Sequence, residues 1–180
     1  GEAKQGEVLT ASTAAIDLYG VSEVSYYWKV SADNKSWTDL STGSSFQLTE
    51  SEVGKYIVAY ATFVDVNGIA ISGSSYVTNP VLNINDAPIG SVEINGIFRI
   101  GEKLSAASSL FDADGLGAIT YSWQSSTDGF SWSTFTFGDT VTLLDSLAGK
   151  YIRALANYVD GRGTTEIFAS NKSETLAVDV

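Results

Sequence analysis

The sequence predicts an all-β protein built as two tandem antiparallel β-sandwich domains, and three observations lead to this prediction. Short segments that alternate apolar and polar residues recur along the chain with turn residues between them, which is typical of an antiparallel sandwich. No segment carries the continuous periodicity of a long helix. The chain also repeats itself, because Gly6-Glu7 recurs as Gly101-Glu102, an offset of 95 residues from position 6 to position 101.

The repeat sets the domain organisation. A period of 95 residues exceeds the roughly 20–50 residues of solenoid repeats and matches a whole small domain. We therefore expect a first copy over 1–85 and a second copy over 86–180. The same offset relates these pairs: Trp28 and Trp123, Asp33 and Asp128, Trp37 and Trp132, Leu48 and Leu143, Gly54-Lys55-Tyr56-Ile57 and Gly149-Lys150-Tyr151-Ile152, Asp65 and Asp160, Gly68 and Gly163.

The two copies differ at their beginnings. The second copy opens with a strand-like segment, SVEINGIFRI at 91–100, whereas the first copy has only residues 1–5 in the matching place. We expect the first strand of the first copy to be truncated or supplied by a preceding neighbour. The junction, NINDAPIG at 83–90, contains Pro88, which cannot donate to a strand ladder and stiffens the link.

Each copy contains a predicted hairpin with one tryptophan on each arm. The strands at 24–31 and 119–126 place Trp28 and Trp123 in phase with other apolar residues, so we interpret both as core residues rather than sugar-stacking platforms. The turn pairs Asp33-Asn34 and Asp128-Gly129 follow. Trp37 and Trp132 lie closer to these turns, and there too we favour a core position.

The longest predicted strands are YIVAYATFVD at 56–65 and YIRALANYVD at 151–160. Alternation places Ile57, Ala59, Ala61 and Phe63 on one face of the first. The small alanines leave room for the facing indole, as interdigitated sheet packing requires.

Composition excludes several classes of function. The chain has no His and no Cys, which removes the commonest general base, the Ser-His and Cys-His pairs and thiolate metal sites. Short loops on a small sandwich leave little room for the cleft that paired catalytic carboxylates need, so we expect no enzymatic activity. The net charge of −11 disfavours nucleic acid. No apolar run is long enough for membrane insertion.

Four motifs taken together resemble a known family. SWQSSTDGFSW, AGKYIRALANYVDGRGT, FDADGLG and INDAP are similar to the immunoglobulin-like tandem repeats of large bacterial surface adhesins of the RTX type, which have cadherin-like linkers. The resemblance covers nearly all of 86–180 and, more loosely, 6–85. It implies immunoglobulin-like sandwiches that act as extracellular spacers on the bacterial cell surface. Its implied partners are neighbouring repeats of the same chain, with any host or surface ligand bound through other domains.

Three carboxylates form a candidate metal site. Asp112 and Asp114 are spaced two apart, and Asp86 lies in the junction, whose wording resembles the calcium-stiffened joints of cadherin-like repeats. Carboxylate oxygens are the ligands that calcium prefers. The alternative is that the DxDG segment makes an Asx-type turn and its carboxylates bind local amides. In the first copy Asp114 is replaced by Tyr19, so calcium is less expected there.

Binding is the second functional hypothesis. Aromatic residues out of phase with the core offer a candidate surface for a carbohydrate or protein ligand, with Tyr27, Tyr60 and Phe130 as the main residues and Phe135 and Phe137 beside them. Packing at a domain junction would also explain such residues.

Overall fold

The computed structural model describes residues 1–13, 23–65 and 67–177. Within these ranges the regular structure consists of thirteen β-strands and two one-turn 3₁₀ helices. Every strand pair is antiparallel. The predicted all-β, antiparallel sandwich class is therefore confirmed. Contacts divide the chain into two compact units, Gly1–Ile84 (unit 1) and Asn85–Val180 (unit 2).

Unit 1 is built from two sheets. Its strands are β1 Val8–Thr10, β2 Ser25–Ser31, β3 Thr38–Thr42, β4 Ser45–Gln47, β5 Tyr56–Val64 and β6 Ala70–Ser74. Strands β1 and β4 form a two-stranded sheet, and the order β3-β2-β5-β6 forms a four-stranded sheet. A 3₁₀ helix over Glu50–Glu52 connects β4 to β5.

Unit 2 repeats this plan with one further strand. Its strands are β7 Val92–Gly96, β8 Lys103–Ser108, β9 Thr120–Ser126, β10 Ser133–Phe137, β11 Thr140–Thr142, β12 Tyr151–Val159 and β13 Thr165–Ala169. The sheets have the orders β11-β8-β7 and β10-β9-β12-β13. In the constant-type immunoglobulin arrangement the fourth strand belongs to the other sheet, so unit 2 differs from that arrangement in the sheet that β10 joins.

The core of each unit lies between its two sheets. In unit 2, Leu104 from the three-stranded sheet and Trp123 and Ile152 from the four-stranded sheet are all fully buried. In unit 1, Leu9 and Trp28 take the same places, with exposures of 5% and 3%. The prediction that the first tryptophan of each hairpin fills the core is confirmed.

A hydrogen bond fixes each core indole. Trp28 Nε1 donates to the Gly43 carbonyl at 2.8 Å, and Trp123 Nε1 donates to the Gly138 carbonyl at 2.9 Å. Both glycines have positive φ, 104° and 116°, which ordinary residues rarely adopt. The turn therefore presents its carbonyl to the indole, and the buried N–H keeps a partner.

The repeated Gly-Lys-Tyr-Ile segments close each unit in the same way. Gly54 and Gly149 turn with φ of 76° and 72°. Each of these amides donates to the carbonyl of a buried residue that follows the last described strand of its unit, Val81 or Leu176, at 2.9 Å. The isoleucine two residues after the lysine then enters the core.

The second tryptophan of each hairpin does not lie in the core, contrary to the prediction. Trp37 and Trp132 are half-buried and belong to neither core cluster. The Arg153 guanidinium lies 4.3 Å from the Trp132 ring centroid, and its Nε donates to Gln124 Oε1 at 2.8 Å. The predicted core position is wrong because each residue follows its turn directly, and Trp132 packs over the Arg153 side chain rather than in the core.

Candidate functional site

The loops around Asp112 and Asp160 pack tightly at one end of unit 2. Asp112 and Asp114 lie between β8 and β9, and Asp160 begins the turn between β12 and β13. The Gly161 amide donates to the Gly115 carbonyl at 3.0 Å. A Cβ on Gly161 would stand 2.6 Å from the Asp114 carbonyl oxygen, so only glycine allows this approach.

The Asp112 carboxylate accepts two hydrogen bonds. Its Oδ2 accepts from the Tyr158 hydroxyl at 2.5 Å, and its Oδ1 accepts from the Asp114 amide at 2.9 Å. The Gly115 amide also donates to the Asp112 carbonyl at 3.1 Å. Asp112 is buried and makes the Asx-type turn that was the alternative to metal binding.

Tyr158 is the partner that sequence reasoning missed. Burial raises the pKa of its hydroxyl well above the ordinary value, and the hydrogen bond to the Asp112 carboxylate raises it further. The hydroxyl therefore stays protonated and donates. The only sequence signal was the change from Phe63 in the first copy to Tyr158 in the second, which adds one buried hydroxyl beside a carboxylate.

Asp114 has one satisfied and one unsatisfied oxygen. Its Oδ2 accepts from the Asp86 amide at 2.7 Å. Its Oδ1 is buried and accepts no hydrogen bond, and the Arg162 Nε lies 3.9 Å away, beyond hydrogen-bond range. A buried carboxylate oxygen that lacks a donor is unfavourable unless a cation balances it.

The structure brings Asp86 and Asp114 together but assigns Asp112 elsewhere. One carboxylate oxygen of Asp86 lies within 4.8 Å of one of Asp114. Nearby, Asn85 Nδ2 donates to Glu166 Oε1 at 2.7 Å, which ties this part of the junction to β13. Asp86 and Asp114 are thus the two predicted residues that could share a cation, and Asp112 would have to leave the Tyr158 hydroxyl to join them.

Asp160 carries a second buried oxygen without a partner. Its Oδ1 accepts from the amides of Arg162 and Thr164, both at 2.8 Å, while its Oδ2 makes no hydrogen bond. Burial alone would raise the pKa of Asp160, but the amides of Thr164, Arg162 and Gly163 together bring it below the ordinary value. The carboxylate is therefore ionised.

The counterpart of the DxDG loop in the first copy, residues 17–22, lies outside the described residues. Its partner turn is described except for residue 66. Asp65 Oδ1 accepts from the Asn67 amide at 2.9 Å and the Ile69 amide at 2.7 Å, as Asp160 does in unit 2. Both units thus have an aspartate carboxylate that accepts from the amides two and four residues later, but Asn67 stands where unit 2 has Arg162.

The aromatic candidates form two separate features. In unit 1, Tyr27 and Tyr60 are cross-strand neighbours whose rings stack at 4.9 Å with an interplanar angle of 7°. Both are half-buried, so each ring offers one free face at most. In unit 2, Phe130 is 86% exposed in the turn before β10, with Lys172 Nζ 5.7 Å from its ring centroid. Phe137 is also exposed on β10.

Comparison with known proteins adds no family. Neither a scan of protein-family models nor a search of curated protein sequences finds a match for this chain. Among the residues that the structure describes, no helix has the length and apolar character needed to cross a bilayer.

Proposed function

We propose that the chain forms two spacer repeats of a bacterial cell-surface adhesin, which hold a binding region away from the cell. The observation that carries this proposal is the repeated interior. The same buried residues and the same indole-to-glycine hydrogen bond recur at one constant offset. A spacer requires a stable unit that can be placed in series, and selection then acts on the core.

The surfaces of the two units have diverged, which fits this role. Tyr27 and Tyr60 in unit 1 correspond to Ser122 and Leu155 in unit 2. This pair on the face opposite the core is half-buried in unit 1 and buried in unit 2, and its chemistry changes completely while Trp28 and Trp123 stay buried. A ligand site common to both repeats would require the opposite pattern.

Calcium is a secondary part of the proposal. Asp86 and Asp114 would hold the ion through carboxylate oxygens, and Asp114 Oδ1 is buried without a hydrogen bond. Bound calcium would coordinate this oxygen directly and stiffen the segment that leads into β7. The Arg162 guanidinium, 3.9 Å from the same oxygen, competes for that position.

The calcium component is tested by thermal melting of the full chain. Calcium at ten times its dissociation constant should stabilise unit 2 by about 1.4 kcal/mol. Asp114→Asn should abolish the rise in Tm, and Arg162→Gln should increase it. Asp139→Asn, at an exposed carboxylate, is the matched control. If 10 mM calcium leaves the Tm of every variant unchanged, the calcium component is wrong, and the spacer role is unaffected.

The alternative is a carbohydrate- or protein-binding module. The stacked Tyr27–Tyr60 pair favours it, because a flat aromatic surface suits a sugar ring or an apolar side chain. A glycan and peptide array probed with the full chain separates the two functions. The spacer role predicts no specific signal. A signal that Tyr27→Ala and Tyr60→Ala abolish, and that Tyr76→Ala at a 98% exposed tyrosine preserves, would overturn it.

A further inference from the structure

Two segments of unit 1 lie side by side and run in the same direction, whereas the sheet strands named above pair antiparallel. Lys4 and Leu82 form a parallel β-bridge. The Leu82 amide donates to the Ala3 carbonyl, and the Gln5 amide donates to the Leu82 carbonyl, both at 2.9 Å. One residue near the end of unit 1 is thus hydrogen-bonded on both sides of its peptide plane to a segment near the beginning.

A side chain adds a third hydrogen bond to this pair of segments. The Ile84 amide donates to the Gln5 Oε1 atom at 2.9 Å. Among the residues that the structure describes, three hydrogen bonds therefore join residues 3–5 to residues 82–84. We call these two segments together the parallel clamp.

The parallel clamp is connected to the core of unit 1. Val81, which precedes the second segment, is 2% exposed and belongs to the core cluster. Its amide donates to the Lys55 carbonyl and its carbonyl accepts from the Gly54 amide, both at 2.9 Å. Ala3 of the first segment packs against the same cluster. Neither segment can slide along the other without disturbing these contacts.

The parallel direction decides how a force acts on the clamp. A force that pulls from the N-terminal side of Ala3 and the C-terminal side of Ile84 moves the two segments in opposite directions along one axis, whatever chain lies beyond them. The hydrogen bonds of a parallel pair are evenly spaced along the strands and cross between them, so this force loads them together. Two antiparallel segments in the same place would be pulled from one end, and their hydrogen bonds would open one at a time.

We propose that the parallel clamp is the element of unit 1 that resists extension, so that its hydrogen bonds set the rate at which the unit unfolds under load. Forced unfolding is governed by the unfolding rate rather than by equilibrium stability. The inference rests on the proposed spacer function, because a spacer carries the force that acts on the region it holds away from the cell. At the offset of 95 residues the corresponding segments of unit 2 are 98–100 and 177–179, and residues 178 and 179 lie outside the described residues.

Constant-force stretching of the full chain tests the proposal. Gln5→Ala removes one hydrogen bond of the clamp and should make one of the two unfolding events roughly fivefold faster, the factor that corresponds to one hydrogen bond. Gln5→Glu keeps an acceptor oxygen and should restore most of the wild-type rate. Thr49→Ala is the matched control, since it removes side-chain hydrogen bonds of unit 1 that lie outside the clamp. It should leave the rates of both events nearly unchanged.

A second pulling direction separates the clamp from a general contribution to stability. The chain has no Cys, so two introduced cysteines define where the force is applied. Handles at Ser44→Cys and Ile69→Cys, both exposed positions, load unit 1 without pulling on either segment of the clamp. In this geometry Gln5→Ala should not change the unfolding rate.

Three results would overturn the proposal. Gln5→Ala could leave both events unchanged, it could accelerate unfolding equally in the two pulling directions, or Thr49→Ala could accelerate unfolding as much as Gln5→Ala does. None of these results bears on the spacer role, which the array experiment tests separately. A specific array signal that depends on Tyr27 and Tyr60 would contradict the spacer role whatever the clamp does.

Discussion

Unit 1 and unit 2 have equivalent cores but differ in the contacts at the edges of those cores. The indole, its glycine carbonyl and the isoleucine of the Gly-Lys-Tyr-Ile segment are equivalent in both units. Unit 2 adds the buried Tyr158–Asp112 hydrogen bond. Unit 1 has Phe63 in place of Tyr158. The residues that pack against the indole are thus the same in both copies, whereas the residues at the end of the sandwich differ.

One side-chain hydrogen bond in each unit, which joins the segment after the last strand to β5 or β12, is closely preserved between the two copies. Thr78 Oγ1 accepts from the Ile57 amide at 3.0 Å, and Ser173 Oγ accepts from the Ile152 amide at 2.9 Å. Threonine and serine differ by a methyl group but supply the same hydroxyl at the same position. Substitutions between the copies therefore preserve the hydrogen-bond acceptor where the backbone depends on it.

The largest effect should come from removing the indoles. Trp28→Ala and Trp123→Ala each delete a buried aromatic and leave a cavity, so each should destabilise its own unit by about 3–5 kcal/mol. Chemical unfolding followed by the remaining tryptophan fluorescence measures both. If Trp28→Ala changes stability by less than about 1 kcal/mol, the two interiors are not equivalent and the comparison fails.

Tyr158→Phe should have the next largest effect. It removes the donor to a buried carboxylate, which should destabilise unit 2 by about 1–3 kcal/mol. Phe63→Tyr in unit 1 is the reciprocal variant. It should not increase the stability of unit 1 unless a hydrogen-bond acceptor faces the new hydroxyl. Thermal melting at neutral pH measures both changes. Equal melting of the wild-type protein and Tyr158→Phe would mean that the hydrogen bond does not distinguish the units.

The same tyrosine predicts a pH dependence. The pKa of Tyr158 is raised in the folded state above its ordinary value of 10.0. A raised pKa means that the stabilisation is complete below pH 10 and is lost as the pH rises further. Unit 2 should therefore weaken above about pH 10, and Tyr158→Phe should remove most of that alkaline loss. An unchanged alkaline profile in the variant would contradict this assignment.

A smaller difference lies in the 3₁₀ turn before each long strand. In unit 1 the Thr49 hydroxyl accepts from the Ser51 amide at 3.3 Å and donates to Glu52 Oε2 at 2.8 Å, whereas Leu144 in unit 2 makes no such cap. Thr49→Ala should destabilise unit 1 by about 1 kcal/mol. Leu144→Ala, at an exposed position, should change unit 2 far less. Similar losses in both variants would contradict this contrast.

The smallest effect concerns acid, and here the units should behave alike. The amides of Ser36 and Lys35 lower the pKa of Asp33 to about 2, and equivalent amides lower the pKa of Asp128. A lowered pKa gives stabilisation that is present above the ordinary value of 3.8 and is lost as the pH falls towards 2. Asp33→Asn and Asp128→Asn should each flatten the acid loss of one unit. If the stability of only one variant became less dependent on acidic pH, the two aspartate turns would not be equivalent.

The strands and core residues common to both units could be predicted from the sequence, but the positions of residues next to the turns could not. Strict alternation and a constant offset identified β2, β5, β9 and β12 within one residue of their observed ends. The same alternation does not show which face a residue takes directly after a turn, and it therefore did not show that Trp37 and Trp132 lie outside the core clusters.

The candidate site was predicted less completely for a similar reason. Asp112 and Asp114 were identified from their spacing, but spacing does not show which donors reach them. The Tyr158 hydroxyl and the Arg162 guanidinium come from strands and turns more than 40 residues away. Contacts of this kind depend on tertiary packing, so a local motif cannot assign the carboxylates to a metal or to a turn.

Stretching single molecules of the full chain tests the central claim most directly. Two repeated sandwiches predict two separate unfolding events, each releasing roughly 30 nm of chain at about 3.6 Å per residue. Trp123→Ala should lower the force of one event and leave the other unchanged. One event that releases the whole length, or a Trp123→Ala variant that weakens both events equally, would contradict the account of two equivalent units.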